Sequence, residues 1–149
     1  MTGAAPTGRF PPAQRVRKRP EFQRIQALGR RLNTPRFVLL VAAREDEQGA
    51  RLGVTASRKI GGSVTRTRAK RLVREAFRAT RELWAADVDL VVIVRRSLEG
   101  LALADVVGEW QSFASELRRR TREARRDRER RAAALAQPGE TPQTRPGAR

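Results

Sequence analysis

The stretch KIGGSVTRTRAKRLVREAF, Lys59 to Phe77, limits the possible folds of this chain more than any other segment. At about 100° per residue on a helix over 66–84, Arg66, Lys70, Arg71, Arg74, Arg78 and Arg81 fall within an arc of roughly 140°. Leu72, Leu83, Ala76, Ala69, Val73 and Phe77 fall in an apolar arc of similar width that meets the basic one at Phe77 and Arg66, and Arg68 lies outside the basic arc, toward its other border. Such a helix buries one side on a sheet and turns the other outward. Before it, RLGVTAS (Arg51 to Ser57) alternates Leu52, Val54 and Ala56 with Gly53, Thr55 and Ser57, the period of a half-buried strand. After it, VDLVVIVRR (Val88 to Arg96) has the continuous apolar run of a strand covered on both faces. A strand, a helix and a strand in that order predict a crossover to a parallel neighbour.

The flanking segments complete one domain. RFVLLVAA (Arg36 to Ala43) reads as a strand, and the acidic REDEQGA that follows is expected to turn it into a hairpin with RLGVTAS. In RPEFQRIQALG, Pro20 suits the first helical position, Glu21 the positive end of the helix dipole and Gly29 the stop, with Phe22, Ile25 and Leu28 as one apolar stripe. From Ala104 to Leu117, Val106, Val107, Trp110, Phe113 and Leu117 recur at helical spacing. Beyond Leu117 the sequence is almost entirely charged, then Ala-rich, then Pro-rich. It is expected either to extend the helix into solvent with a few Glu to Arg pairs or to be disordered, in both cases adding nothing to the core. The expected division is a disordered lead over 1–14, a domain over 15–118 and an Arg-rich, then Pro/Gly-rich tail over 119–149.

Charge indicates the partner. The formal net charge is +17, and a protein this basic suffers self-repulsion unless a polyanion relieves it, with nucleic acid the first candidate. Only Lys18, Lys59 and Lys70 among the 33 basic residues are not Arg, a bias that reflects either Arg-specific phosphate recognition or a GC-rich genome. Cys is absent, so disulfides and thiolate metal sites are excluded. No apolar run approaches membrane-spanning length and no secretory apolar segment opens the chain, so no membrane partner and a cytoplasmic location are expected.

Catalytic chemistry is poorly supplied. The chain has no His. Asp87 and Asp89 stand two apart at a strand entry, where exposed acids are common, and Glu45, Asp46 and Glu47 sit in the expected hairpin turn; neither group makes a convincing metal site. The basic helix is better equipped for binding. Arg66, Lys70, Arg74 and Arg78 repel one another at i, i+4, a cost of a few tenths of a kcal/mol per pair that phosphates would relieve. Gly61 and Gly62 allow close backbone approach or a positive φ, or form a plain turn. Ser63 or Thr65 is a candidate cap, and the free amides there are an alternative phosphate contact.

The order of residues in GVTASRKIGGSVTRTRAKRLVREAF resembles the signature of the bacterial ribonuclease P protein component, with Lys59, Ile60, Gly61, Val64, Arg66, Arg68, Lys70, Arg71, Arg74, Glu75 and Phe77 in matching places. The resemblance runs outward through RPEFQRI, RFVLL and VDLVVIVRR and covers roughly 15–118. It implies an α+β fold, an α-β-β-β-α-β-α two-layer sandwich whose crossover through the basic helix is left-handed, with an added short strand near Leu32 to Pro35. It also implies a protein subunit of an endoribonuclease whose catalyst is an RNA, with Mg²⁺ held mainly through that RNA. Arg58, Lys59, Arg66, Arg68, Lys70, Arg71 and Arg74 would bind the catalytic RNA. Phe22, Arg17, Lys18, Arg36 and Val38 would line a cleft for the 5′ leader of precursor tRNA, in a 1:1 ribonucleoprotein with one protein monomer. Two positions depart from the pattern: Thr67 replaces the usual Asn, and Gln26 and Leu40 stand where further aromatics are usual. The composition alone also permits a ribosomal-type RNA-binding protein with no role in catalysis.

Overall fold

The structure is a computed structural model in which residues 12–136 are described. Helix α1 (Arg19–Leu28) leads into β1 (Arg30–Asn33), β2 (Phe37–Ala43) and β3 (Arg51–Ala56). Helix α2 (Ser63–Ala79), β4 (Val88–Val94), α3 (Leu103–Ser112) and α4 (Ala114–Leu135) follow. The expected α-β-β-β-α-β-α order is therefore present, with the last helix divided at Phe113 and the short extra strand placed at 30–33. Of the lead expected over 1–14, residues 12–14 form a 3-10 turn and Arg15 bridges to Leu52, while 1–11 lie outside the described residues, as do 137–149 of the tail.

One pairing differs from expectation. The strands lie in the order β1-β2-β4-β3, so β2 and β3 do not form a hairpin; β4 lies between them, antiparallel to β2 and parallel to β3. The reason is burial on both faces. All of β2 is buried and only Ile93 of β4 is partly exposed, so these two strands belong at the centre, whereas β3 has a partly exposed run at Val54–Ala56 and suits an edge. The parallel β3-α2-β4 crossover is as expected.

Alternation along the strands makes two cores. Phe37, Leu39 and Val41 of β2, with Leu90, Val92 and Val94 of β4, face α2, α3 and α4. Val38, Leu40 and Ala42, with Val91, face α1 through Ile25. Helix α2 seats Ala69, Val73, Ala76 and Phe77 on the sheet as its wheel predicts, but it ends at Ala79. Arg81 and Leu83 fall in a 3-10 turn, because Thr80 Oγ1 donates back to Ala76 O (2.7 Å) and accepts from Trp84 Nε1 (3.1 Å). Trp84 stacks on Phe77 and meets Trp110 edge-on, and Trp110 in turn meets Phe37 edge-on. These contacts join α2, α3 and β2. They also use four of the chain's seven aromatics in one core.

Helix α4 corrects the expectation that nothing beyond Leu117 packs. It lies along β1 and β2, and Ala124 is 3% exposed within the main core. Polar groups do most of the docking. Arg30 Nε and Nη2 donate to the two oxygens of Asp127 at 2.8 Å each, Arg120 Nε donates to Arg31 O (3.0 Å), and Arg128 Nη1 donates to Arg44 O (2.6 Å). Arg30 holds the Asp127 carboxyl below its ordinary range.

Candidate nucleic-acid interface

The outward face of α2 is a basic surface. Among the described residues Arg66, Arg68, Lys70, Arg71 and Arg74 form no ion pair; Arg66 and Arg68 make only long contacts to carbonyls, Gly62 O at 3.5 Å and Leu98 O at 3.4 Å. The contact of Arg68 with the loop after β4 fits its position outside the main arc. Arg58 and Lys59 are exposed in a 3-10 turn (Arg58–Ile60) just before the helix, so all seven residues expected to bind the catalytic RNA stand on α2 or the turn that leads into it.

The turn into this helix is built by backbone geometry. Gly61 has φ 143°, and a Cβ there would lie 2.8 Å from the Thr65 side chain, so both the conformation and the space require glycine. Gly62 is the N-cap, and neither Ser63 nor Thr65 caps the helix. Ser57 instead caps the preceding 3-10 turn by accepting from Lys59 N. The first amides of α2 thus lack a side-chain acceptor and point along the same end as Arg58, Lys59 and Arg66.

Arg15, which sequence reasoning did not single out, joins this face. Burial, and next the like charges of Arg15 and Arg71, push the Arg74 guanidinium below the ordinary arginine range. Arg15 comes from a segment far from α2 in sequence, held by the bridge to Leu52 and by Val16 N donating to Leu52 O (3.0 Å). No local pattern in the sequence announces that approach.

The expected leader cleft is assembled only in part. Phe22 is half-buried on α1 with its ring against the backbone of Gly53, where an added Cβ would come within 2.7 Å of Cε1 and Cζ. Arg17 and Lys18 are exposed at the start of α1. Val38 is only 3% exposed, within the core under α1, and is thus a wall residue beneath the surface. Arg36 is not brought to this group: its backbone N–H and Nη1 both donate to Glu109 of α3, at 3.0 and 2.7 Å.

Asp87 and Asp89 are not the exposed strand-entry acids expected from sequence; they are 2% and 0% exposed. Asp89 accepts from Arg51 Nε and Nη2 (2.8 and 2.9 Å), Arg44 Nη1 (2.8 Å) and Arg24 Nη2 (3.2 Å). Asp87 accepts a bidentate pair from Arg125 (3.0 and 2.9 Å) and a third bond from Arg128 (2.9 Å). Arg125, then Arg128, lower the Asp87 pKa from 3.8 to about 2 against the opposing effect of burial. Four guanidinium bonds saturate Asp89 and three leave Asp87 a single lone pair, so neither carboxylate is disposed to hold Mg²⁺. Glu45, Asp46 and Glu47 lie in the β2–β3 connection, which is no hairpin turn, and Asp46 accepts from Arg44 (2.8 Å). Among the described residues no three acidic, His or Cys side chains are grouped to hold a metal ion, and no helix is long and apolar enough to cross a membrane.

A two-layer sandwich with a strongly basic helix on one side has a surface suited to a polyanion, and comparison with known proteins specifies the family. The family model "Ribonuclease P" matches residues 10–118. A ribonuclease P protein component from Gluconacetobacter diazotrophicus is 40% identical over 98 residues, 65% of this chain and 84% of that protein. One from a Geobacter species is 30% identical over 111 residues, 74% of this chain and 94% of that one. The solved ribonuclease P protein of Thermotoga maritima superposes with a TM-score of 0.61 at 30% identity, covering 68% of this chain and 96% of the other. That of Staphylococcus aureus gives 0.59 at 26%, covering 66% and 90%. The chain belongs to the ribonuclease P protein family. Most of α4 lies beyond the matched residues.

Proposed function

We propose that the chain is the protein subunit of a cytoplasmic ribonuclease P, binding the catalytic RNA through α2 and the turn before it, and the 5′ leader of precursor tRNA beside α1. The observation that carries this is the group of seven cations on and before α2 that no acid of the described fold neutralises, in a domain that pairs Arg24, Arg44, Arg51, Arg125 and Arg128 with two buried aspartates. Phosphates neutralise such a face and release counterions, so affinity falls steeply with salt. The chemistry of leader removal belongs to the RNA and its Mg²⁺, because the protein's two buried aspartates are already taken by arginine and no His exists to move a proton. The protein acts as one monomer per RNA and supplies binding and orientation.

Phe22 is the leader platform in this reading. Phe37, Phe77, Trp84 and Trp110 are committed to the core and Phe113 packs against it, so Phe22 is the aromatic that α1 offers on its own face. With Gln26 exposed and Leu40 buried beside it, leader affinity relies more on charge than on stacking. The decisive experiment adds only the matching catalytic RNA to the purified protein. Precursor tRNA should be cleaved at low Mg²⁺, releasing the leader and leaving the mature 5′ end. Binding without any gain in cleavage would favour a ribosomal-type RNA-binding protein.

A further inference from the structure

We propose that the outward ridge of α4 is a second surface for the phosphodiester backbone of the catalytic RNA, an inference that rests on the function proposed above. The ridge begins where the family match ends. At about 100° per residue, Arg118, Arg119, Arg122, Arg126, Arg130 and Glu129 occupy an arc of roughly 120°, and all six are exposed. Ser115 falls in the same arc. The opposite side of the helix carries Leu117, Ala124, Asp127 and Arg128, the docking residues.

The two sides treat charge differently. Inward arginines end on carboxylates or carbonyls, whereas Arg118, Arg119, Arg122 and Arg126 form no ion pair among the described residues. Arg122 has Arg118 and Arg126 at i−4 and i+4, and Arg119 and Arg125 at i−3 and i+3, so every helical neighbour is a cation. An isolated helix resists this arrangement. Here the docked inner face holds the ridge straight, with side-chain rows about 6 Å apart.

Position and composition select the partner. Arg118 and Arg122 border a shallow cavity of about 280 Å³ together with Glu82, Leu83 and Trp84, in the turn directly after α2, so the ridge continues the surface assigned to the catalytic RNA. Helices α2 and α4 pack on one face of the sheet and α1 on the other. No aromatic side chain stands on the ridge to stack an unpaired base, which leaves backbone contact with folded, double-helical RNA as the mode of binding.

The test uses the full chain and the catalytic RNA over a salt series. Replacing Arg118, Arg122 and Arg126 together by Gln should leave the thermal transition in place and lower the log-log salt slope by roughly 2 to 3, at about 0.7 to 0.9 per phosphate contact. The same three positions as Lys should keep the slope. A slope unchanged in the Gln variant overturns the proposal, as does an equal loss in the Lys variant. Because the chain has no Cys, Ser115→Cys can carry a single photo-crosslinker without removing any arginine. In the holoenzyme it should join a confined set of catalytic-RNA nucleotides; no RNA adduct, or adducts scattered along the molecule, would also overturn the proposal. Arg66→Ala with Arg68→Ala separates the two claims. If that pair weakens binding while the α4 variant does not, only the ridge is wrong; if neither weakens it, the function proposed above fails with it.

Discussion

The arginines at the start of β4 and those on the outer face of α2 are the same residue type put to opposite uses. Around Asp89 and Asp87, five arginines (24, 44, 51, 125 and 128) converge on two buried carboxylates and clamp α1, β2, β3 and α4 to the central strand. Along α2, Arg66, Lys70 and Arg74 stand at i, i+4 and enter no ion pair among the described residues. The difference teaches that net charge identifies a class of partner but not a binding surface. A surface is found by subtracting the arginines that the fold has already neutralised.

The largest effect should come from breaking the clamp at its centre. Asp89→Asn leaves three guanidinium groups around an uncharged side chain, and removing one partner of a buried ion pair costs about 3 to 5 kcal/mol. Chemical denaturation should show this loss, and the part of the protein that still folds should bind catalytic RNA with its salt slope unchanged. A slope that falls in step with stability would mean that clamp and binding face are not separate.

Next in size is the other half of the clamp. A chain ending at Arg120 loses Ala124, Arg125, Asp127 and Arg128, strips Asp87 and Arg30 of their ion-pair partners, and should be less stable by about 3 kcal/mol. Acid sharpens the same point. The folded-state pKa of Asp87, about 2, lies below the ordinary 3.8, so its contribution is complete above about pH 4 and is lost as pH falls toward 2. That arm of the acid-unfolding curve, on the order of 2 kcal/mol, should be missing in Asp87→Asn. An unchanged acid limb would show that Arg125 and Arg128 do not hold the carboxylate in solution.

Phe22 tests a region where neither kind of arginine dominates. Phe22→Leu keeps most of the apolar volume against Gly53 but removes the ring face. In holoenzyme at saturating protein it should weaken precursor tRNA by about 1 kcal/mol and mature tRNA hardly at all. Equal losses for the two RNAs would make Phe22 a packing residue only.

What the sequence revealed follows from what periodicity can detect. Alternation and helical spacing located α1, α2, β2, β3 and β4 and the buried face of α2, because those elements bury apolar side chains at regular intervals. The strand order was hidden, since nothing local says that β4 enters between β2 and β3. The left hand of the crossover was implied only by family resemblance. The docking of helix α4, though not the option of a helix there, was missed for a related reason: its docking face is one Leu and one Ala set among Asp127, Arg120, Arg125 and Arg128, so a hydrophobic count ends at Leu117 while the contacts continue. The candidate site was legible where it is contiguous, from Arg58 to Arg74, and illegible where distant segments meet it, as with Arg15 against Arg74, or leave it, as with Arg36 turning to Glu109.

The most direct test of the central claim, that the unneutralised cations of α2 are the contact with the catalytic RNA, is the salt dependence of that affinity for the native chain and for Arg66→Ala with Arg68→Ala. Neither side chain enters an ion pair of the described fold, so the thermal transition should not move. The variant should bind more weakly, with a log-log slope lower by roughly 1.5 for two lost phosphate contacts. Parallel lines at equal affinity, with both proteins folded, would contradict it.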